Sequence, residues 1–96
     1  MRLDEKEQQS ISKCVEALDP ASQVYLFGSR ANDQLRGGDL DLLVISERLS
    51  FADKLKLLIE LKEKLGDQKI DIILKKRHEI DQDPFVRKIW PTAVRL

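Results

Sequence analysis

Two short apolar runs, each joined to a small polar group, constrain this chain more than any other feature. The run Val24 to Phe27 carries β-branched and aromatic residues, so it predicts a strand that stops at Gly28-Ser29-Arg30. The run Leu40 to Ile45 predicts a second strand, and its first residue lies between Asp39 and Asp41. A Gly-Ser turn after one strand and a carboxylate pair at the start of the next suit a phosphate cradle that faces a divalent-metal site.

The other predicted elements alternate with these strands. Helices are predicted from about Asp4 to Leu18, from the capping box at Ser50 to the glycine cap at Gly66, and around Asp83-Pro84 to Trp90. A third strand is predicted over Ile70 to Leu74, and a polar loop from Ala31 to Gly38. This order indicates a single α+β domain over residues 1–96, with helices on one face of a small mixed sheet and the other face open for a ligand.

Two apolar stripes at helical spacing are expected to join the core. The second helix carries one stripe: Phe51, Leu55, Leu58, Leu61 and Leu65. The last helix carries another, which we expect to pack on the helices that cover the sheet or to dock a partner protein: Phe85, Val86, Ile89 and Trp90.

The charge balance and the single cysteine exclude several classes of protein. Lys plus Arg and Asp plus Glu both number 17, so the net charge is zero and nucleic acid is not expected as the main partner. Cys14 is the only cysteine and lies on the first helical stripe, so it predicts a small buried residue and no disulfide or cysteine-built zinc site. The charged N-terminus is unlike a signal peptide, and no run approaches the roughly 20 apolar residues of a membrane span. A cytoplasmic protein is expected.

Three carboxylates are candidates for one metal site. Side chains alternate along a strand, so Asp39 and Asp41 point to the same face, about 7 Å apart, and repel each other unless a cation lies between them. Asp71 interrupts the third apolar run, and it can join them if the third strand lies beside the second. Oxygen ligands of this kind select Mg²⁺ or Mn²⁺ rather than zinc. The neighbours of the pair are expected to point toward the helices: Leu40, Leu42 and Val44. Each group also has an alternative interpretation without a ligand. Asp39 and Asp41 would then be a solvated acidic pair, Asp71 an edge-strand residue that faces water, and Gly28-Ser29 an ordinary turn.

The joint order of these groups resembles the signature of the DNA polymerase β-like nucleotidyltransferase superfamily. The signature runs from Gly28-Ser29-Arg30 to Asp39-Leu40-Asp41, and Asp71 lies where the third carboxylate of the superfamily is expected. The small size makes the chain similar to the minimal nucleotidyltransferases, known as MNT proteins, over nearly its whole length. One departure is Gly38, because many relatives have Ser or a similar residue before the first Asp. The resemblance implies the polymerase β-like nucleotidyltransferase fold.

The resemblance also implies how a nucleoside triphosphate, ATP, would be bound. Gly28 would let the backbone approach the triphosphate closely, and Ser29 would hydrogen-bond its terminal phosphates. Arg30 would clamp the same phosphates, or would instead form a salt bridge to a carboxylate.

The three carboxylates would hold two Mg²⁺ ions, or Mn²⁺ in their place, if the resemblance extends to the reaction. Asp39 and Asp41 would bind both ions, and Asp71 would complete the second site and could accept the proton of an attacking hydroxyl. AMP would then pass from ATP to that hydroxyl, with loss of pyrophosphate.

The same resemblance implies a partner. Many MNT proteins are antitoxins encoded beside a HEPN-domain RNase toxin, and the antitoxin transfers AMP to a tyrosine of that toxin and also binds it, as a hetero-oligomer. One alternative is an antitoxin that neutralises the HEPN partner by binding alone. Another alternative is nucleotidyl transfer to a small molecule. The length of 96 residues disfavours this alternative, because it leaves no second domain to form an acceptor pocket.

Overall fold

The computed structural model describes residues 1–32, 34 and 38–96. The described chain forms α1 (Glu5–Leu18), β1 (Gln23–Phe27), β2 (Leu40–Ile45), α2 (Phe51–Leu65), β3 (Ile70–Lys75), α3 (Pro84–Ile89) and β4 (Val94–Arg95). The predicted helices and the three predicted strands are all present, and β4 is an addition that the sequence did not indicate. Part of the predicted polar loop lies outside the described residues. None of the helices in these residues is long and apolar enough to cross a membrane.

The four strands form one mixed sheet in the order β3-β2-β1-β4. β1 pairs antiparallel with β2 and with β4, whereas β2 and β3 run parallel because α2 returns the chain across the sheet between them. The register places Asp41 beside Asp71 on β3 and opposite Phe27 on β1. The end of β1 and the starts of β2 and β3 therefore meet at one end of the sheet, and the predicted α+β class is confirmed.

The larger core lies between the sheet and the pair of helices α1 and α2. Three buried residues of β2 point into it, as predicted: Leu40, Leu42 and Val44. Cys14 on α1 is 4% exposed, which confirms the prediction of a small buried residue. Burial raises the pKa of its thiol, so this cysteine stays protonated at neutral pH.

A smaller second core lies on the opposite face of the sheet. Leu43 and Ile45 of β2 point into it, and the C-terminal segment covers them with a fully buried Val86. The rings of Tyr25 and Trp90 lie 4.8 Å apart on this face. The prediction that the last apolar stripe packs on the other helices is therefore wrong, because it packs on the sheet itself. Most of β2 is apolar on both faces, so the second face is also covered, and the prediction of helices on one face with the other face open is wrong over this part of the sheet.

The stripe predicted for α2 is confirmed in part: Leu61 is buried and Leu58 and Leu65 pack against the larger core. Leu57 and Leu61 are the buried residues of this helix, whereas Phe51 and Leu55 are 68% and 44% exposed. Ile59 is 60% exposed on the same outer side. The apolar residues of α2 extend around more of the helix than the core contacts, so Phe51, Leu55 and Ile59 stay outside it.

A buried carboxylate joins the end of α1 to the end of β2. Asp19 is 2% exposed and accepts hydrogen bonds from the hydroxyl of Ser46 at 2.6 Å and from the backbone N–H of Ala21 at 3.0 Å. The hydrogen bond from Ser46 is the main reason that the pKa of Asp19 is lowered. The Ser46 hydroxyl also accepts from the N–H groups of Arg48 and Leu49, so one serine closes the turn after β2.

Candidate active site

Asp41 and Asp71 form the centre of the candidate site. They are direct neighbours across the parallel β2–β3 pair, and their side chains lie on the face of the sheet away from α1 and α2. Burial is the largest cause that raises the pKa of Asp41 above its ordinary value, followed by the charges of Asp71 and Asp39, while Lys69 opposes the rise. The nearness of the Asp71 carboxyl group also favours the protonated form of Asp41, because a proton between the two groups removes their repulsion. A pair of this kind accepts either a proton or a cation.

Gly28 lies directly against Asp41. It ends β1 with a φ of +75°, in the left-handed region that favours glycine. A Cβ atom at this position would collide with the Oδ2 atom of Asp41, so no other residue fits without displacing the carboxylate. The backbone at Gly28, where the Gly28–Ala31 turn begins, thus packs closely against the Asp41 carboxylate.

The side chain of Arg30 is held by the fold. Its Nε donates to the carbonyl of Arg2 at 2.9 Å, its Nη1 donates to Oε1 of Gln68 at 2.6 Å, and its Nη2 lies 3.4 Å from Oε1 of Glu7. All three guanidinium nitrogens therefore have partners within the chain. Of the two roles considered for Arg30, the structure shows the salt bridge to a carboxylate, that of Glu7. Ser29 lies between Gly28 and Arg30 in the same turn.

Asp39 precedes β2 and is turned toward a different partner. Its Oδ2 lies 3.7 Å from Nζ of Lys69, with 49% and 70% of the two side chains exposed. Among the described residues, no group of three or more acidic, histidine or cysteine side chains is already arranged to hold a metal ion. Asp41 and Asp71 are brought together as predicted, and Asp39 is not brought into contact with them in this structure.

The chemistry of these residues nevertheless fits a hard divalent cation. All three groups are carboxylates, and two of them are adjacent with charges that repel. The ion pair of Asp39 is exposed, and exposed pairs stabilise a protein by only about 0–1 kcal/mol, so a cation could replace Lys69 at little cost.

A cavity of about 540 Å³ opens beside the carboxylate pair. Asp41 and Asp71 line it together with Phe27 and Phe85, and α2 contributes Lys54. The rings of Phe27 and Phe85 pack edge to face, with their centroids 6.0 Å apart. The sequence did not indicate Lys54 or Phe85 as site residues. Their place depends on which side of each helix faces the sheet, and the local sequence carries no signal of that choice.

The chain belongs to the nucleotidyltransferase domain family, whose model matches residues 9–93. The matched region contains every site residue predicted from the sequence: Gly28, Ser29, Arg30, Asp39, Asp41 and Asp71. Membership in this family indicates transferase activity. No curated protein matches the chain significantly.

Solved structures share the fold over almost the whole chain. One crystal structure, provisionally named a nucleotidyltransferase, has a TM-score of 0.67 at 20% identity, with 93% of this chain and 96% of the other covered. A second, from Sulfolobus solfataricus and named in the same provisional way, has a TM-score of 0.59 at 21% identity, with 94% of this chain and 76% of the other covered. At such identities the likeness shows the nucleotidyltransferase fold alone.

Proposed function

We propose that this chain is a metal-dependent nucleotidyltransferase that transfers AMP from ATP to a tyrosine hydroxyl of a HEPN-domain toxin, and so acts as a cytoplasmic antitoxin. One observation carries the transferase part of this proposal. Asp41 and Asp71 are neighbours on the sheet, and Asp41 lies against Gly28, where a Cβ atom would collide with its carboxylate, in a chain of the nucleotidyltransferase family. The toxin partner and the tyrosine acceptor rest on the resemblance of the signature to MNT proteins.

The residues of the site have separate tasks in this reaction. Gly28 and Ser29 would approach the phosphates of ATP, because the turn after β1 lies beside the acidic pair. Asp39, Asp41 and Asp71 would hold Mg²⁺ as two ions, which stabilise negative charge on the attacking and leaving oxygens when they are bound.

Asp71 is suited to accept the proton of the attacking hydroxyl, since it is exposed at the open edge of the sheet. The hydroxyl oxygen forms a bond to the α-phosphorus of ATP, and the bond from that phosphorus to the bridging oxygen breaks. Pyrophosphate leaves with the electron pair of that bond. Arg30 has a supporting role in this proposal, because its contacts with Glu7, Gln68 and Arg2 hold the turn in place.

A second candidate function is neutralisation of the toxin by binding, without catalysis. The observation that favours it is the position of Asp39, which pairs with Lys69 instead of completing a set of three carboxylates.

Mass spectrometry of the partner distinguishes the two functions. The chain would be incubated with ATP, Mg²⁺ and a HEPN-domain protein encoded beside it, and the partner would be examined for added AMP. We expect AMP on a tyrosine with the native chain and none with the double variant Asp39→Ala, Asp41→Ala. The matched control is Asp81→Ala, which removes an exposed carboxylate outside the site. If the double variant neutralised the toxin as well as the native chain does, the catalytic function would be refuted and binding alone would account for the antitoxin.

A further inference from the structure

The strand β3 presents one row of backbone groups to the outside of the sheet. It is the edge strand beside β2, and the N–H of Leu40 donates to the carbonyl of Lys69 at 2.9 Å while that of Ser46 donates to Lys75 at 3.0 Å. Backbone groups along a strand point alternately to its two sides, so the odd-numbered residues of β3 bond to β2. The N–H and C=O groups of Ile70, Ile72 and Leu74 therefore face outward.

This outer edge lacks the usual protection against pairing with another strand. Exposed edges are commonly blocked by lysine, proline or a bulge, but β3 contains no proline, and its one lysine, Lys75 at the end of the strand, is paired with Asp83 at 2.7 Å. In the described part of the chain, no hydrogen bond reaches the outward groups of Ile70, Ile72 or Leu74. The edge is thus open to pairing.

The space beside this edge is a groove with apolar sides that leads to the carboxylates. The 540 Å³ cavity is lined by β3 itself, by Phe51 and Leu55 of α2, and by Phe85 of α3. These three side chains are 68%, 44% and 48% exposed, although each is large and apolar. Asp41 and Asp71 lie in the same cavity, so the groove and the candidate active site are continuous.

We propose that the acceptor hydroxyl is delivered by an extended segment of the partner protein, which pairs as an additional strand with the free edge of β3. This inference rests on the proposed nucleotidyl transfer and specifies how its acceptor is recognised. The outward groups of Ile70, Ile72 and Leu74 supply the main-chain hydrogen bonds, as in other cases of strand addition.

The alternation of side chains defines the chemistry of the segment. A residue that lies opposite Asp71 on the added strand points to the face that carries Asp41 and Asp71. The Cβ atoms of directly opposite residues on paired strands are about 4.5–5.5 Å apart, so a side chain at this position lies beside the Asp71 carboxylate and can bring a hydroxyl to it. Its two neighbours point to the other face, toward Phe51 and Leu55. The segment is therefore a tyrosine, serine or threonine between two apolar residues.

AMP transfer to this segment uses the same groups as the proposed reaction. The hydroxyl oxygen forms the bond to the α-phosphorus of ATP, its proton passes to the Asp71 carboxylate, and pyrophosphate leaves with the electrons of the broken bond. The strand geometry places the acceptor on the side of β3 away from β2, so it does not compete with the Gly28 turn for space.

Amide hydrogen exchange, measured by NMR without ATP or metal, tests the docking separately from the chemistry. The probe is a synthetic peptide of alternating valine and threonine with a central tyrosine and glutamates at both ends. At a peptide concentration about ten times its Kd, exchange of the Ile72 and Leu74 amides should slow about tenfold. A peptide with proline in place of the valine beside the tyrosine should not slow it, because proline breaks the pairing.

Two exposed apolar residues of α2 provide matched variants. Phe51→Ser removes a side of the groove and should raise the Kd of the peptide about tenfold. Ile59→Ser removes a residue of similar exposure on the same helix that does not line the groove, so the Kd should stay unchanged.

Docking of the peptide and transfer of AMP to it are measured separately, so either can fail without the other. Amide protection without any transfer of AMP to the peptide, once ATP and Mg²⁺ are added, would support docking and refute the transfer. Transfer of AMP without amide protection, or equal Kd values for Phe51→Ser and the native chain, would refute strand pairing. Protection of the same amides in a dimer of the chain alone would overturn the proposal, because a second copy would then occupy the edge.

Discussion

At the scale of single residues, Gly28 and Asp41 share one small space. The positive φ of Gly28 and the collision that a Cβ atom would make with the Asp41 carboxylate are two separate constraints on the same position. The first concerns stability and the second concerns the geometry of the site, so a pair of glycine variants can separate them.

Gly28→Ala should lower both stability and activity. The left-handed conformation costs about 1–2 kcal/mol with a Cβ atom, and displacement of Asp41 should also abolish transfer of AMP. Urea unfolding measures the first effect, and mass spectrometry of the acceptor measures the second. Gly66→Ala is the control, because Gly66 has a φ of +83° but nothing within 4 Å of the added Cβ. It should cost about 1–3 kcal/mol of stability and leave activity unchanged. Equal activity in both variants would show that Gly28 serves the backbone alone.

At the scale of elements, Asp19 joins α1 to β2 through Ser46. The lowered pKa of Asp19 means that its ionised form stabilises the fold. This contribution is present above the ordinary pKa of 3.8 and is lost as the pH falls through the lower pKa of the folded state.

Ser46→Ala should therefore destabilise the protein in a pH-dependent way. Near neutral pH we expect a loss of about 1–3 kcal/mol in the free energy of unfolding, since a buried carboxylate loses its shortest hydrogen bond. The difference from the native chain should shrink as the pH falls below 3.8, which denaturant titrations at several pH values would measure.

Ser22→Ala is the matched control for this variant. Its hydroxyl donates to the backbone carbonyl of Asp19 and not to the carboxylate. Its loss of stability should be independent of pH. A pH-independent difference for Ser46→Ala as well would contradict the assigned role of Ser46.

The elements were largely predictable from local sequence, whereas their faces were not. The three strands, the capping box at Ser50 and the glycine cap at Gly66 are local signals, and the structure contains them. Phe51 and Leu55 fall outside the core because burial of α2 depends on how the helix is turned toward the sheet, and the position of the C-terminal stripe depends on the second face of β2. β4 is only two residues long, and its pairing with β1 is a long-range contact that no local pattern encodes.

The candidate site also has features that could be predicted from local sequence and features that could not. The adjacency of Asp41 and Asp71 followed from strand alternation and one assumption about strand order, which the β2–β3 register confirms. The partners of Arg30 and Asp39 could not be predicted, because Glu7, Gln68 and Lys69 approach them only in the folded chain.

At the scale of the whole molecule, the acidic pair is a place where binding and stability are coupled. Anything that binds the folded chain and not the unfolded chain raises the free energy of unfolding. Burial and the charges of Asp71 and Asp39 raise the pKa of Asp41, and a cation bound between the carboxylates offsets that repulsion, so cation binding should stabilise the folded state.

Mg²⁺ should therefore raise the Tm of the native chain, measured by calorimetry at constant ionic strength. At ten times its Kd the stabilisation is about 1.4 kcal/mol. Asp71→Asn should remove this response, and Lys69→Ala should strengthen it because it releases Asp39. An equal rise in Tm for the native chain and Asp71→Asn would place the Mg²⁺ site elsewhere.

The alternation along β2 has a consequence for how such a chain can change in length. Its even-numbered residues from Leu40 to Val44 face the larger core, and Asp41 faces the site. Inserting or deleting a single residue within this strand would exchange the two sets, moving leucines to the reactive face and a carboxylate into the interior. Insertions and deletions should therefore be tolerated before Asp39 and selected against within β2. Substitutions within β2 change one side chain at a time and leave the alternation intact.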